Sequence, residues 1–302
     1  MKNKMASQAK SVHQTVLLNE TIEGLNLSKG KVALVIDGTF GGGGHSLEIL
    51  KRYSKVEIIA LDQDKSVFTK AEDKFKNFKD RIIFLNKNFR ELGNEEKVDG
   101  IILDLGLSSD QLESSGRGFS FMKDEELLMT MKENPTEEDL TAKDIVNGWS
   151  EKNLADIIYG YGEERYSRGI AKAIVEKRKK QEIKTTLDLV KVIEEAVPSK
   201  YKNGKIHPAT KTFQALRIAV NDELNALKEG LENGFKILKS GGRMSVISFH
   251  SLEDRIVKNF YKEKERNKEA ILINKKVIKA SSEELKINNR SRSAKLRIIE
   301  KI

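Results

Sequence analysis

The chain has 302 residues, a formal net charge of +9 at pH 7 and no cysteine. The lack of cysteine excludes disulfides and cysteine-ligated metal centres and fits a reducing cytoplasm. No apolar run approaches the roughly 18 residues of a membrane span, and the first residues, MKNKMASQAKSVHQ, lack the apolar core of an export signal. We therefore expect a soluble cytoplasmic protein of one or two domains without a membrane partner, whose basic charge favours a nucleic acid.

The first part of the chain alternates apolar β-branched runs with amphipathic stretches. The predicted strands are KVALVID, KVEIIALD, RIIFLN and VDGIILDLG, and the predicted helices are HSLEILKRY and KSVFTKAEDKFKNF. This alternation predicts an α/β fold with a right-handed parallel sheet, in which ligands bind at the carboxyl ends of the strands. Asp62, Asn86 and Asp104 fall at such ends.

From about Ser114 the pattern becomes helical. SEKNLADIIYGYG begins at a plausible N-cap, Ser150, and is followed by YSRGIAKAIVEKRKK and by TTLDLVKVIEEAV, which Pro198 closes. Two more helices, ATKTFQALRIAV and DELNALKEGLENGFKIL, lead to GGRMSVISF, a predicted strand after a Gly-Gly helix stop. We expect a first sheet part at 1–113, an inserted helical domain at 114–211 and a second sheet part at 212–302.

The stretch DGTFGGGGHS lies between a predicted strand and a predicted helix. Its glycines would let a ligand lie against bare amides at a helix start, although a glycine-rich turn without a ligand is the alternative. The dinucleotide fingerprint GxGxxG fails at its third glycine, where Ser46 stands, and no Lys-Ser or Lys-Thr completes a Walker loop. Asp62 lies 19 residues after Gly43 (62 minus 43), where a carboxylate suits ribose hydroxyls. The residues leave two ligands open, a dinucleotide and S-adenosylmethionine.

Several longer motifs, in order along nearly the whole chain, carry a resemblance to one family. They are HQTVLLNETIEGL, DGTFGGGGHS, DGIILDLGLSSDQL, GRGFSF, YGEERYSRGIAKAIV, HPATKTFQALRIAVNDEL, GGRMSVISFHSLEDRIVK and NNRSRSAKLR. The chain resembles the bacterial small-subunit ribosomal RNA methyltransferase H family, also called MraW. The resemblance implies a Rossmann-like methyltransferase sheet with an inserted helical domain. It also implies S-adenosylmethionine as methyl donor and the exocyclic N4 of one cytidine in the decoding region of 16S rRNA as acceptor.

The resemblance implies a cofactor site carried by seven residues, which are Gly43, Gly44, His45, Asp62, Phe89, Asp104 and Gln111. The glycines would admit the methionine part of the donor, Asp62 would take the ribose, and Phe89 would offer an aromatic face to the adenine. Asp104 would lie near the cationic end of the donor and is also a candidate hydrogen-bond acceptor for the target amine. We assign no catalytic residue from the sequence.

The four histidines have no metal-ligand spacing such as HExxH, so we predict no metal. They are His13, His45, His207 and His250. The chain also departs from the family after GFSFMKD, where Leu128, Thr130 and Lys132 replace charged residues, and at Asp110, where a proline is usual. These changes leave the implied cofactor residues intact. A compensated loss of ion pairs and an altered substrate choice are the two explanations.

The expected partner is small-subunit ribosomal RNA, within the small ribosomal subunit, and a second copy of the chain is a further candidate partner. Arg290 and Arg292 precede KLRIIE, an apparent edge strand, and in an extended segment both guanidiniums would face successive phosphates. A non-catalytic RNA-binding module and an NAD-dependent oxidoreductase are the competing classes. S-adenosylmethionine binding would argue against both.

Overall fold

The computed structural model describes residues 14–93, 96–108, 111–112 and 115–302. In this part of the chain a seven-stranded sheet has the order β3-β2-β1-β4-β5-β7-β6. Its strands are β1 (Ala33–Asp37), β2 (Val56–Leu61), β3 (Ile82–Leu85), β4 (Val98–Asp104), β5 (Leu238–Ser248), β6 (Ala270–Leu272) and β7 (Lys295–Lys301). Strands β1 to β5 are parallel, and β7 is antiparallel to both of its neighbours. The strand order reverses between β1 and β4, where sheets of this kind open a ligand crevice.

Twelve α-helices are described, and most of them flank the sheet or form the helical part of the chain. They are α1 (Leu18–Gly24), α2 (Gly44–Arg52), α3 (Ser66–Phe75), α4 (Ala142–Gly148), α5 (Glu151–Gly160), α6 (Ser167–Arg178), α7 (Thr186–Ala196), α8 (Ser199–Lys202), α9 (Ala209–Asn221), α10 (Glu223–Ile237), α11 (Ser251–Arg266) and α12 (Ser282–Ile287). Short 3-10 helices cover Lys76–Arg81, Phe89–Glu91 and Asn289–Ser293.

Local sequence signals explain several of these boundaries. The side chain of Ser150 accepts a hydrogen bond from the backbone of Asn153 and so caps α5, as the sequence predicts. Thr185 and Asp188 form a capping box at the start of α7. The four predicted strands of the first part form β1 to β4, and most of their apolar residues are buried or half-buried in the sheet. The predicted Rossmann-like fold class is confirmed.

The helices between β4 and β5 have a hydrophobic core of their own. Fully buried side chains of α4 to α7, including Ile145, Leu154, Ile170 and Leu189, pack in one cluster with residues of α9. Helix α9 runs continuously past residue 211, so the predicted end of the inserted domain falls inside a helix. The division of the chain into domains stays a prediction.

Two expectations about the second sheet part are wrong. Gly241 and Gly242 lie inside β5, which begins at Leu238 and pairs with β4 across a register shift, so they do not stop a helix. Gly241 has a φ of 77°, which explains the glycine there. Strand β7 lies between β5 and β6, so the edge of the sheet is β6. Among the described residues, no helix is both long and apolar enough to cross a membrane.

Candidate functional site

Two neighbouring recesses lie at the carboxyl ends of β1, β2 and β4. The larger recess has an empty volume of about 730 Å³ and contains Asp62, Phe89 and Gln111 in its wall. The smaller recess, of about 450 Å³, lies at the start of α2 beside Gly44 and His45. Both recesses share a wall of five residues, which are Thr39, Gly41, Asp104, Gly106 and Ser108. A ligand that extends from one recess into the other passes this shared wall.

Asp62 follows β2 and holds the glycine loop in place. Its Oδ2 accepts a hydrogen bond from the amide of Gly41 at 2.8 Å, and its Oδ1 accepts one from the amide of Asp64 at 2.9 Å. Burial raises the pKa of Asp62 to about 6, although the two amides favour the charged form. The carboxylate therefore both shapes the loop and faces the larger recess.

Phe89 and Gln111 complete the wall of the larger recess. Phe89 opens the 3-10 helix after β3, where Asn88 and Glu91 form a capping box. The ring packs so closely on α10 that a Cβ at Gly230 would lie 2.3 Å from its Cδ2. Gln111 is buried, and its Oε1 accepts a hydrogen bond from the amide of Ser108 at 2.9 Å. The packing gives the recess an apolar face beside Phe89 and a polar face beside Gln111.

The loop glycines are closely surrounded by side chains of the fold. Gly43 has a φ of 70°, and a Cβ there would lie 2.6 Å from Cζ of Phe40 and 2.8 Å from Cε2 of Phe75. Its amide donates to the carbonyl of Phe40. Gly43 therefore faces the aromatic core and lines neither recess, whereas a Cβ at Gly44 would lie 1.7 Å from Oγ1 of Thr15. A side chain at Gly43 would therefore meet the aromatic core, and the assignment of Gly43 and Gly44 to the donor site stays a prediction.

A buried carboxylate, Asp37, ends β1, and a half-buried one, Asp104, ends β4. The hydroxyl of Ser46 donates to Asp37 at 2.6 Å, and burial nevertheless raises the pKa of Asp37 to about 6. The amide of Asp104 donates to Oγ1 of Thr39 at 2.6 Å, which fixes the backbone of Asp104 in the shared wall. Oδ1 of Asp104 is buried without a hydrogen-bond partner among the described residues. Burial raises the pKa of Asp104 to about 7, while the positive charge of Arg290 opposes this shift.

Sequence reasoning missed a group of charged residues at the inner end of the larger recess. Glu223, the first residue of α10, and Glu253, in the first turn of α11, both line it. Glu253 is buried and accepts hydrogen bonds from the amides of Phe249 and His250. The spacing of His250 and Glu253 fits a capping box, a signal that predicts a helix start but not a place in the site.

Glu223, His250 and Glu253 also have ligand-type atoms within 4.8 Å of one another. Both oxygens of Glu223, however, accept hydrogen bonds from the guanidinium of Arg217, at 2.8 and 2.9 Å. Burial lowers the pKa of Arg217, but the charge and hydrogen bonds of Glu223, together with the charge of Glu253, outweigh this effect and keep the pKa raised. We therefore interpret the group as an ion-pair network. The absence of a catalytic metal stays a prediction.

Residues 115–132, called here the cover segment, close one side of the larger recess. The guanidinium of Arg117 donates to Oδ2 of Asp64 at 2.6 Å and to the carbonyl oxygens of Met131 and Lys132 at 2.8 and 2.9 Å. Met131 lines the recess, and its amide donates to Oδ1 of Asn221. The cover segment is thereby attached to the end of β2 and to the end of α9.

The departures from the family pattern lie partly in the cover segment. Lys132 pairs with Asp139, and Thr130 is buried with its hydroxyl accepting a hydrogen bond from the amide of Lys132. At Lys132 the altered charge therefore has an acidic partner, which favours the explanation by compensated ion pairs. Asp110 and His13 lie outside the described residues.

The arginines before β7 do not lie in an extended segment. Residues Asn289–Ser293 form a 3-10 helix, in which side chains two positions apart point in different directions. Arg290 is half-buried and lines the smaller recess, whereas Arg292 is exposed. The expectation that both guanidiniums face one side is therefore wrong, and a phosphate contact by Arg292 stays a prediction.

The strand order, the glycine loop after β1 and the carboxylate after β2 agree with the class of protein to which the family match assigns the chain. It is an S-adenosylmethionine-dependent methyltransferase with a Rossmann-like sheet. The chain belongs to the MraW methylase family, whose family model matches residues 10–302.

Individual relatives cover almost the whole chain. The ribosomal RNA small subunit methyltransferase H of Lactobacillus johnsonii is 44% identical, over 96% of this chain and 99% of that protein. The protein of the same name from Clostridium botulinum is 46% identical, with the same shares. Among solved structures, an rRNA methylase from Streptococcus thermophilus is 9% identical, with a TM-score of 0.44 over 94% of this chain and 95% of that one.

Proposed function

We infer that this protein transfers the methyl group of S-adenosylmethionine to the exocyclic N4 of a cytidine in the decoding region of 16S rRNA. The substrate follows from its relatives, which are named as methyltransferases of small-subunit ribosomal RNA. The net charge of +9 suits a polyanionic substrate. We place the reaction on the small ribosomal subunit in the cytoplasm, and a homodimer stays a further prediction.

The observation that supports this function most strongly is the wall shared by the two recesses. Asp62 and Phe89 in the larger recess suit the ribose and the adenine of the donor, respectively. The smaller recess, at the start of α2, suits the methionine part, whose carboxylate a helix N-terminus stabilises. The sulfonium joins these two parts of the donor, so it would lie at the shared wall beside Asp104.

Methyl transfer needs no nucleophilic side chain from the protein. The amine nitrogen attacks the methyl carbon in line with the carbon–sulfur bond, whose electron pair passes to the sulfur. Holding the two reactants in this geometry supplies much of the acceleration. Asp104 would face the developing positive charge on the amine, and a carboxylate there favours that charge.

Labelled methyl transfer tests this function. Small ribosomal subunits that lack the modification, naked 16S rRNA and large subunits would each be incubated with the protein and a donor carrying a labelled methyl group. We expect label in 16S rRNA, at a cytidine of the decoding region, and none in large-subunit RNA. The matched comparison variant is Asp62→Asn, which preserves the size of the side chain but alters the proposed donor site. Label in large-subunit RNA, or in neither RNA, would contradict the proposal.

A further inference from the structure

Asp104 stands among charges that come from three other elements of the fold. The charge of Asp37 acts on it from β1, that of Glu253 from α11, and that of Arg290 from the 3-10 helix before β7. Glu253 lines the larger recess together with Asp104, whereas Arg290 lines the smaller one with it. His250, with Nε2 at 3.1 Å from the Glu253 carboxylate, and the half-buried cation Arg217 are further charged or titratable groups near Glu253.

The carboxylates of Glu223, Glu253 and Asp104 differ in how many of their oxygens are hydrogen-bonded. Both oxygens of Glu223 accept hydrogen bonds from Arg217, and Oε2 of Glu253 accepts hydrogen bonds from two backbone amides. Oδ1 of Asp104, in contrast, is buried and has no hydrogen-bond partner among the described residues. A buried polar atom of this kind is costly unless a ligand or water satisfies it. Asp104 is therefore the carboxylate that is placed to accept a proton.

We propose that Asp104 takes up the proton that the target amine loses, and that Glu253 and Arg290 set, from opposite sides, the pH at which it does so. This inference rests on the proposed function. When nitrogen attacks, the nitrogen–methyl bond forms and the carbon–sulfur bond breaks, which leaves a neutral thioether and a cationic amine. The amine passes one proton to the Asp104 carboxylate, and the neutral acid then releases it to water. Asp104 acts as the catalytic residue, and Glu253 and Arg290 act as positioning residues for its charge.

The electrostatics of Asp104 agree with this role. Burial is the largest cause that raises its pKa, to about 7, and the negative charges of Asp37 and Glu253 raise it further. Arg290 and the amide of Gly106 act in the opposite direction. A proton acceptor works best when its pKa lies near the working pH, because it must be ionised before the step and still bind a proton during it.

The test is the pH dependence of the single-turnover rate on small subunits, with donor and subunits saturating. In the wild-type protein the rate should rise with pH through one midpoint. Arg290→Gln removes a positive charge and should move the midpoint up by about one pH unit. Glu253→Gln retains an oxygen for the two backbone amides but removes a negative charge, and should move the midpoint down by a smaller amount. The positive charge of the donor sulfonium lowers the pH midpoint of the wild type and of each variant alike. The order of the midpoints therefore decides the test.

Two further variants complete the experiment. Glu265→Gln removes one exposed carboxylate from the same helix as Glu253 and should keep the wild-type midpoint. Asp104→Asn should lower the saturated rate at least 100-fold. A wild-type rate in Asp104→Asn, or equal midpoints in the Arg290, Glu253 and wild-type proteins, would overturn the inference. If the modified nucleoside is not N4-methylcytidine, the proposed function fails instead, whatever the midpoints are.

Discussion

Asp62 holds the glycine loop in place and is also the proposed partner of the donor ribose. Its two oxygens accept hydrogen bonds from the amides of Gly41 and Asp64. We expect Asp62→Ala to weaken S-adenosylmethionine binding by roughly 10- to 100-fold, because a charge-assisted hydrogen bond contributes about 1.5 to 3 kcal/mol. Asp62→Asn, which keeps one acceptor oxygen, should lose less. Calorimetric titration measures both, and an affinity within error of the wild type in Asp62→Ala would remove Asp62 from the donor site.

Gly43 is a residue whose substitution should act on the fold before it acts on the ligand. Its positive φ is strained for any residue with a side chain, and the rings of Phe40 and Phe75 leave no room for a Cβ. Gly43→Val should therefore lower the melting temperature by several degrees, since overpacking typically costs about 1 to 3 kcal/mol and backbone strain adds to it. Thermal unfolding without donor measures this effect. A melting temperature equal to that of the wild type would contradict the placement of Gly43.

At this scale the sequence predicts residues at strand ends better than residues that distant helices contribute. Asp62 and Asp104 follow predicted parallel strands, so their meeting at one edge follows from the fold class. Glu223 lies in the first turn of α10, which precedes β5 in the chain, and Glu253 lies in the first turn of α11, which follows β5. Only tertiary packing brings the two residues to the same recess. The direction of a Cβ at Gly43 likewise depends on the loop conformation, which periodicity does not encode.

Among the elements, the cover segment is attached to the end of β2 by a buried ion pair. Arg117 and Asp64 are both almost fully buried, with side chains 9% and 3% exposed. Arg117→Ala should lower the free energy of unfolding by about 3 to 5 kcal/mol, because it leaves the Asp64 carboxylate buried without its cation. Denaturant titration measures this loss. Donor affinity should also fall, since Met131 in the recess wall is held by the same guanidinium.

The control for this prediction lies in the same segment. Lys132 pairs with Asp139 at the surface, with its side chain 59% exposed, so Lys132→Ala should leave the denaturation midpoint almost unchanged. The account of the cover segment is wrong if Arg117→Ala and Lys132→Ala unfold at the same denaturant concentration.

Element prediction succeeded where apolar periodicity is strong and failed where long-range pairing decides the structure. Strands β1 to β4 and the main helices follow from their own patterns. Strand β6 has only three residues, too few for a periodic signal, and the interior position of β7 depends on that strand. Gly241 and Gly242 resemble a helix stop, but pairing of β5 with β4 extends the strand through them.

For the whole molecule, three carboxyls with raised pKa values link stability to pH. The pKa values of Asp37 and Asp62 are about 6 and that of Asp104 is about 7, mainly because of burial, against an ordinary value of 3.8. Between about pH 4 and 7 the folded state therefore binds more protons at these groups than the unfolded state. Their contribution to stability is fully present below pH 3.8 and is lost as the pH rises through 6 and 7.

The pH prediction compares the free energy of unfolding of the wild type with that of Asp37→Asn. From pH 5 to pH 8 the free energy of unfolding should fall more in the wild type than in Asp37→Asn, by roughly 1 to 3 kcal/mol, because the variant has no proton to lose at that site. Asp80→Asn, which changes an exposed carboxylate, should fall in parallel with the wild type. Parallel curves for Asp37→Asn and the wild type would show that burial at Asp37 does not affect its ionisation.

The most direct test of the account as a whole is the identity of the methylated nucleoside. Small subunits lacking the modification would be incubated with the protein and a donor bearing a trideuterated methyl group, and the 16S rRNA would be digested to nucleosides for mass spectrometry. We predict one labelled nucleoside, N4-methylcytidine, whose label stays with the exocyclic nitrogen on fragmentation. Its formation should be strongly reduced in Asp104→Asn. Label on a ring carbon, on a ribose hydroxyl or on another base would contradict the account.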